Sequence, residues 1–359
     1  MQDMVQPLVW DLFCHVVDNF GDVGVCWRLS CDLASRGQTV RLWASDSTAL
    51  AWMAPSGHTG VEVRNWDDSA ALDDCGDVVI EAFGCELPEH VLQVMARREP
   101  APVWINLEYR TAEEHARRNH GLPSPQLSGP AQGLIKWFFY PGFVAGTGGL
   151  IRERDLEQRQ REFDSAAWFA SLGLERKSGE RVLSLFCYES APIASLIDAL
   201  CGMPTLLLAT PGPAIVGVRA ALGPGLQRGA LRAIELPKLT QLDFDLLLWA
   251  CDLNFVRGED SWVRALWAGR PFVWQPYVQH DAAHQRKLAA FLECYLETAD
   301  AAFAAELRAL FEAWSQPQAT RLALPETGAW KAHALRRCET LARQSDLCTQ
   351  LLGSVNERS

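Results

Sequence analysis

LVWDLFCHVV at residues 8–17, DNFGDVG at 18–24, VCWRLSCDLASR at 25–36 and TVRLWA at 39–44 decide the fold class. The first stretch is apolar almost throughout, which suits a strand covered on both faces. The third repeats apolar residues at helical spacing and stops at Gly37, a residue suited to ending a helix. The fourth is again short, apolar and rich in β-formers. Strand, loop, helix and strand in that order make a βαβ unit, and with it a parallel sheet.

The alternation continues outward from this unit. Strands are expected at 61–66, 77–83, 102–108 and 134–140, separated by polar or helical segments. A Gly- and Pro-rich stretch at 140–149 and a charged segment at 151–160 follow. From Arg181 the pattern restarts, with strands expected at 182–188, 205–210, 231–236, 253–256 and 271–275. Helices are expected at 191–201, 239–250, 261–268 and 281–296, and the end of the chain, 301–314 and 330–351, reads as helical. The expectation is therefore α/β, with two Rossmann-like domains facing across an interdomain cleft and a helical C-terminal segment. Residues 1–150 form the first domain, 151–179 the crossing segment and 180–359 the second domain with its terminal helices. Ligands of such sheets bind beyond the carboxyl ends of the strands.

Composition sets limits on function. The 359 residues hold 33 Lys and Arg against 44 Asp and Glu, a net charge of −11, which argues against a nucleic-acid face. With 48% hydrophobic residues the chain can bury two cores and is no disordered tail. No run approaches the roughly 20 apolar residues that span a bilayer, and residues 1–8 do not read as a signal peptide. A cytoplasmic chain is expected, its 11 scattered cysteines reduced and mostly buried. There is no C-x-x-C pair, Walker A string, G-x-G-x-x-G or G-x-S-x-G. His280 and His284 stand i, i+4 but lack a third ligand and the central glutamate of a zincin, so no metal is assigned.

Three segments can carry chemistry. In the loop between the first strand and the first helix, Asp18 and Asp22 either cap the helix start or act as a general base with an orienting carboxylate. In NFVRGEDSW, residues 254–262, a strand ends at Arg257-Gly258 and a helix begins near Asp260 or Ser261. Free N–H groups and a partial positive charge at that helix start suit a diphosphate, which Gly258 would let approach closely. Glu259 and Asp260 either bind sugar hydroxyls or merely favour the helix start. In LFCYES, residues 185–190, Phe186 and Tyr188 share one face and either pack in the core or meet a base or sugar.

Six strings in register resemble the bacterial elongation factor P arginine rhamnosyltransferases. They are DNFGDVGVCWRL (18–29), WINLEY (104–109), FYPGF (139–143), TGGLIRE (147–153), FCYES (186–190) and LLWACDLNFVRGEDSWVRALWAGRPFVWQPY (247–277). The resemblance implies a GT-B fold and inverting transfer of L-rhamnose from dTDP-β-L-rhamnose to an arginine of elongation factor P. That modification would activate the factor for rescue of ribosomes stalled at polyproline. No cofactor or metal is implied, and neither nucleic acid nor membrane is a partner. By the same resemblance Asp22 is the catalytic carboxylate, Asp18 its essential neighbour, and Glu259 matters for turnover. Donor binding falls to Phe20, Gly21, Phe186, Tyr188, Gln241, Arg257, Gly258, Glu259, Asp260 and Ser261. Lys238 departs from the pattern, standing where an aromatic ring for the base is implied. The rival readings are another GT-B transferase or epimerase acting on a small molecule, and a non-enzymatic nucleotide-binding protein.

Overall fold

The computed structural model describes residues 7–17, 20–278, 283–318 and 321–358. The chain divides into two compact units, Met1–Arg154 with Gln344–Ser359, and Asp155–Arg343.

Unit 1 begins with β1 (Val9–Cys14), α1 (Gly21–Ser35), β2 (Thr39–Ala44), α2 (Leu50–Met53) and β3 (Val61–Asn65). A 3-10 turn at Trp66–Ala71 leads to β4 (Val78–Ala82), α3 (Glu89–Arg97), β5 (Val103–Leu107), α4 (Glu114–Asn119), β6 (Pro123–Pro125) and β7 (Ile135–Phe139). The sheet order is β3-β2-β1-β4-β5-β7-β6, parallel except for β6, which runs antiparallel against β7. β1, β4 and β5 are buried almost throughout because helices cover both faces of the sheet. One face packs Leu12, Ile80 and Ile105 against Val25, Leu29 and Leu33 of α1. The other packs Phe13, Val79 and Trp104 against Val91, Val94 and Met95 of α3. The buried Asp11 of β1 is matched by the Arg41 guanidinium, the Trp43 Nε1–H at 2.8 Å and the Gly76 N–H at 2.6 Å.

Unit 2 opens with α5 (Leu156–Glu162), α6 (Ser165–Ser171), β8 (Arg181–Leu185), α7 (Ile193–Leu200), β9 (Thr205–Ala209) and α8 (Pro213–Leu222). It continues through β10 (Gln227–Arg228), β11 (Leu231–Glu235), α9 (Gln241–Ala250), β12 (Leu253–Arg257), α10 (Asp260–Trp267) and β13 (Phe272–Gln275). Three helices close it, α11 (Ala283–Leu296), α12 (Ala301–Trp314) and α13 (Thr327–Ala342), and α14 (Leu347–Asn356) belongs to unit 1. The unit 2 sheet has the order β10-β11-β9-β8-β12-β13. In both sheets the chain winds outward one way, returns to the middle and winds the other way. The reversal lies between β1 and β4 in one and between β8 and β12 in the other, where open sheets leave a crevice at their carboxyl ends.

Two expectations need correction. The helix expected over 330–351 is interrupted between Ala342 and Leu347, where Asp346 caps a new helix by accepting from the Thr349 N–H at 2.8 Å. That second helix, α14, does not join the second domain. Its Leu347, Cys348, Leu351 and Val355 lie in the core of unit 1, and the Arg36 guanidinium meets Asp346 at 2.7 Å. The segment expected to cross between domains is likewise divided. Ile151 is core to unit 1, while Trp168 and Phe169 of α6 are core to unit 2. All eleven cysteines are free thiols, and Cys14, Cys26, Cys187 and Cys251 are among the buried ones. No helix among the described residues is long and apolar enough to cross a membrane.

Candidate active site

In unit 1 the segment after β1 carries the acidic pair. Asp18 and Asn19 lie outside the described residues. Phe20 precedes α1 and sets its ring edge-on to Trp52 at 5.3 Å; Gly21 is the first helical residue. Asp22 follows in the first turn, where the helix dipole favours a negative charge. Its residue exposure is 1%, yet it is not buried as a mere cap. Oδ2 accepts the Val17 N–H at 2.9 Å across the loop, and Oδ1 accepts the Tyr109 hydroxyl at 3.1 Å. Burial pushes the neighbouring Cys26 thiol well up, with Cys14 and the Asp22 charge adding to it, so that thiol stays neutral.

Tyr109 comes from the segment after β5 and lies flat on Phe83, ring centres 4.4 Å apart and planes 12° from parallel. Phe83 follows β4 and holds a left-handed backbone, φ +60°, with Gly84 at +67° beside it. Asp22, Phe83 and Tyr109 thus issue from the carboxyl ends of three neighbouring strands around the reversal point. Lower on α1, the buried Arg28 reaches Glu153 of the TGGLIRE string at 3.4 Å.

In unit 2 the two segments flanking the reversal point meet. Phe186 and Tyr188 are half-buried rather than core, and the Arg257 guanidinium lies 4.5 Å from the centre of each ring. Among the described residues the Arg257 side chain makes no hydrogen bond or ion pair, so the aromatic faces hold a cation whose N–H edges are left for a ligand. The Tyr188 N–H donates to Gln275 Oε1 at 2.9 Å, and Gln275 Nε2 donates to the Ser190 hydroxyl at 3.2 Å. A fully buried Gln275 on β13 therefore ties down the aromatic loop.

Gly258 adopts φ +67°, a conformation that favours glycine. Its N–H bonds the Gln275 carbonyl at 3.2 Å, and its carbonyl accepts the Trp274 Nε1–H at 2.8 Å. Trp274 in turn stacks on Trp262 with centroids 3.6 Å apart. The start of α10 is thereby fixed from below, with no side-chain cap at Glu259. The Ser261 hydroxyl donates to the Arg257 carbonyl, so what Ser261 offers a ligand is its main chain. Glu259 Oε1 meets Lys287 Nζ of α11 at 2.5 Å, and Gln241 Nε2 at the start of α9 donates to Asp260 Oδ2 at 3.3 Å.

The structure thus gathers Phe186, Tyr188, Arg257, Gly258, Glu259, Asp260, Ser261 and Gln241 in unit 2, and Asp22 with Phe20 and Gly21 in unit 1. Tyr109, Phe83, Gln275 and Lys287 were not singled out from sequence, although Tyr109 closes the WINLEY string. His280 lies outside the described residues, and among those described no cluster of three or more His, Cys, Asp or Glu stands ready for a metal ion. Chemically, unit 1 offers a held carboxylate suited to a cationic or hydrogen-bonding group, and unit 2 a cation and a glycine-led helix start suited to phosphates.

Comparison with known proteins finds relatives along nearly the whole chain. The profile of a family described as Elongation-Factor P (EF-P) rhamnosyltransferase EarP matches residues 10–356. A protein-arginine rhamnosyltransferase of Pseudomonas aeruginosa is 42% identical over 373 aligned positions, covering 96% of this chain and 97% of that one. A solved structure described as the basis for EarP-mediated arginine glycosylation of translation elongation factor EF-P superposes with a TM-score of 0.67. It is 30% identical and covers 98% of this chain and all of that one. The calicheamicin glycosyltransferase CalG4, 13% identical with a TM-score of 0.52 over 98% of this chain and 99% of its own, shares the fold, which is GT-B.

Proposed function

The chain belongs to the elongation factor P rhamnosyltransferase family, and we propose that it transfers L-rhamnose from dTDP-β-L-rhamnose to one arginine of elongation factor P, with inversion at the anomeric carbon. Rhamnosylation of a protein arginine is the activity carried by its relatives' name. The observation that carries the reading is Asp22, a buried carboxylate at the reversal point of its sheet that accepts the Val17 N–H on one oxygen and the Tyr109 hydroxyl on the other. An arginine side chain is a planar fork that such a carboxylate binds well, and whose nucleophilicity it can raise.

The chemistry has a built-in difficulty. Guanidinium has a pKa above about 12, its lone pairs are delocalised, and a nearby carboxylate favours the charged form further. Asp22 therefore does not strip the proton in advance. It takes the proton from the attacking nitrogen as the N–C1 bond forms, while the C1–O bond breaks and dTDP departs with the electron pair. Asp18 orients the acceptor beside it. The charge growing on the leaving diphosphate is met by Arg257 and by the main-chain N–H groups from Glu259 to Ser261, without a metal ion. Phe186 and Tyr188 line the donor site and hold Arg257, Gln241 reads the thymine edge, and Glu259 and Asp260 address the sugar. Donor contacts are also assigned to Phe20 and Gly21, as the family resemblance implies. The reading places the enzyme in the cytoplasm with its acceptor.

Intact-mass analysis of elongation factor P, incubated with this enzyme and dTDP-L-rhamnose, tests the proposal. The expected result is a gain of one deoxyhexose that disappears when the target arginine is replaced by lysine. Donor hydrolysis that proceeds equally without the factor, leaving its mass unchanged, would instead favour a transferase with another acceptor.

A further inference from the structure

Phe83 occupies a position that a glycine would occupy cheaply. A left-handed backbone is unfavourable for a side-chain-bearing residue, and residues kept in such conformations cluster where the strain serves a site. Gly84 next to it takes the same kind of conformation without cost. The Phe83 ring lies flat on Tyr109, and the Tyr109 hydroxyl ends on Asp22 Oδ1. The Phe83 N–H is anchored at 2.6 Å on the Leu107 carbonyl, two residues before Tyr109, so backbone and ring fix the same segment. Two contacts therefore run from a strained turn to the carboxylate, Phe83 to Tyr109 and Tyr109 to Asp22, with the backbone bond to Leu107 bracing the first.

We propose that Tyr109, braced by Phe83, is a positioning residue that sets the plane and the basicity of the Asp22 carboxylate; this rests on the reading that Asp22 takes the acceptor's proton. The Val17 N–H on one oxygen and the Tyr109 O–H on the other stop the carboxylate from rotating. A guanidinium fork needs both oxygens in one plane to engage it side-on. The Tyr109 hydrogen bond also favours the ionised form of Asp22, keeping it charged when the acceptor arrives. Tyr109 retains its own proton throughout: the proton from the nitrogen ends on Asp22, and the electron pair of the broken C1–O bond leaves with dTDP. The Cys26 thiol, the titratable neighbour on α1, is neutral and does not compete for this role.

The experiment compares Tyr109→Phe, Phe83→Leu, Phe83→Tyr and Asp22→Asn in a transfer assay across pH, with thermal unfolding alongside. Tyr109→Phe should lower kcat about tenfold, the equivalent of losing one hydrogen bond to a charged group. It should leave donor KM within about twofold and move the acid limb of the pH profile up by about one unit. Phe83→Leu, which keeps bulk but loses the flat ring, should follow Tyr109→Phe, and Phe83→Tyr should restore the rate. Wild-type kcat and an unmoved acid limb in Tyr109→Phe, with Asp22→Asn inactive, would overturn the positioning role and leave the base assignment standing. A loss of rate matched by a loss of stability with the limb unmoved would overturn it too, as scaffolding only. Wild-type turnover by Asp22→Asn would refute the underlying reading itself.

Discussion

Replacing Arg257 by methionine isolates the interaction assigned to the donor's diphosphate. The guanidinium sits 4.5 Å from the centres of both Phe186 and Tyr188, and its N–H edges bind no described residue. Methionine keeps the apolar stem against the rings, so folding should change by less than about 1 kcal/mol, the scale of a half-exposed cation–π contact. A hydrogen bond to a charged group contributes about 1.5–3 kcal/mol. Taking about 2 kcal/mol, dTDP should bind roughly thirtyfold more weakly to Arg257→Met. Thymidine, which lacks the diphosphate, should bind within about twofold of wild type. Isothermal titration of both ligands reads the difference directly. Raising the salt concentration should weaken dTDP binding to wild type more than to the variant, because the half-exposed cation is open to screening. Equal losses for thymidine and dTDP, or unchanged dTDP binding, would refute the argument that this guanidinium is reserved for phosphate.

Three further predictions concern the frame around the sites. Lys287→Met leaves the Glu259 carboxylate without its 2.5 Å partner; unit 2 should lose about 1–2 kcal/mol in chemical denaturation and turnover should fall, since Glu259 no longer keeps its place. His333 is fully buried, and burial holds its pKa down at about 4. The unfolded chain then binds the extra proton between about pH 6.5 and 4, so the contribution is complete above that window and is lost as pH falls through it, by about 2 kcal/mol at pH 5. Unfolding wild type and His333→Gln at pH 7 and pH 5 should show a smaller acid loss in the variant. Leu351→Ala removes a buried side chain of α14 and should cost about 2–5 kcal/mol, read as faster hydrogen exchange in α1 and β1 rather than in unit 2.

The parallel strands fall within a few residues of expectation, and the central ones were legible because each is a short apolar run covered on both faces. The helix α8 was not, since Pro211-Gly212-Pro213 reads as a loop and Val216 within it is exposed. Nor does an amphipathic stretch announce which core it will join. α14 is helical by pattern, but its place in unit 1 depends on contacts with α1 that no local rule contains.

The sites divide in the same way. Alternation put Phe186 and Tyr188 on one face, but the cation between them comes from a strand about 70 residues later. It arrives because β12 pairs with β8 in parallel, Phe255 opposite Leu185, which brings the two strand ends level. Tyr109 was hidden for the same reason, as its approach to Asp22 depends on β4 lying between β1 and β5. The net charge of −11 argues against a nucleic-acid face, but it does not bear on a local phosphate site such as Arg257 and the start of α10. A few oriented groups outweigh a global average at contact distance.

The most direct test of the central claim is a single-turnover transfer to elongation factor P by Asp22→Asn, with dTDP-rhamnose affinity measured on the same sample. Arginine rhamnosylation is expected to be abolished while donor affinity stays within a few-fold, as follows if the donor is bound by the unit 2 residues and Asp22 takes the proton. Transfer at the wild-type rate would contradict it.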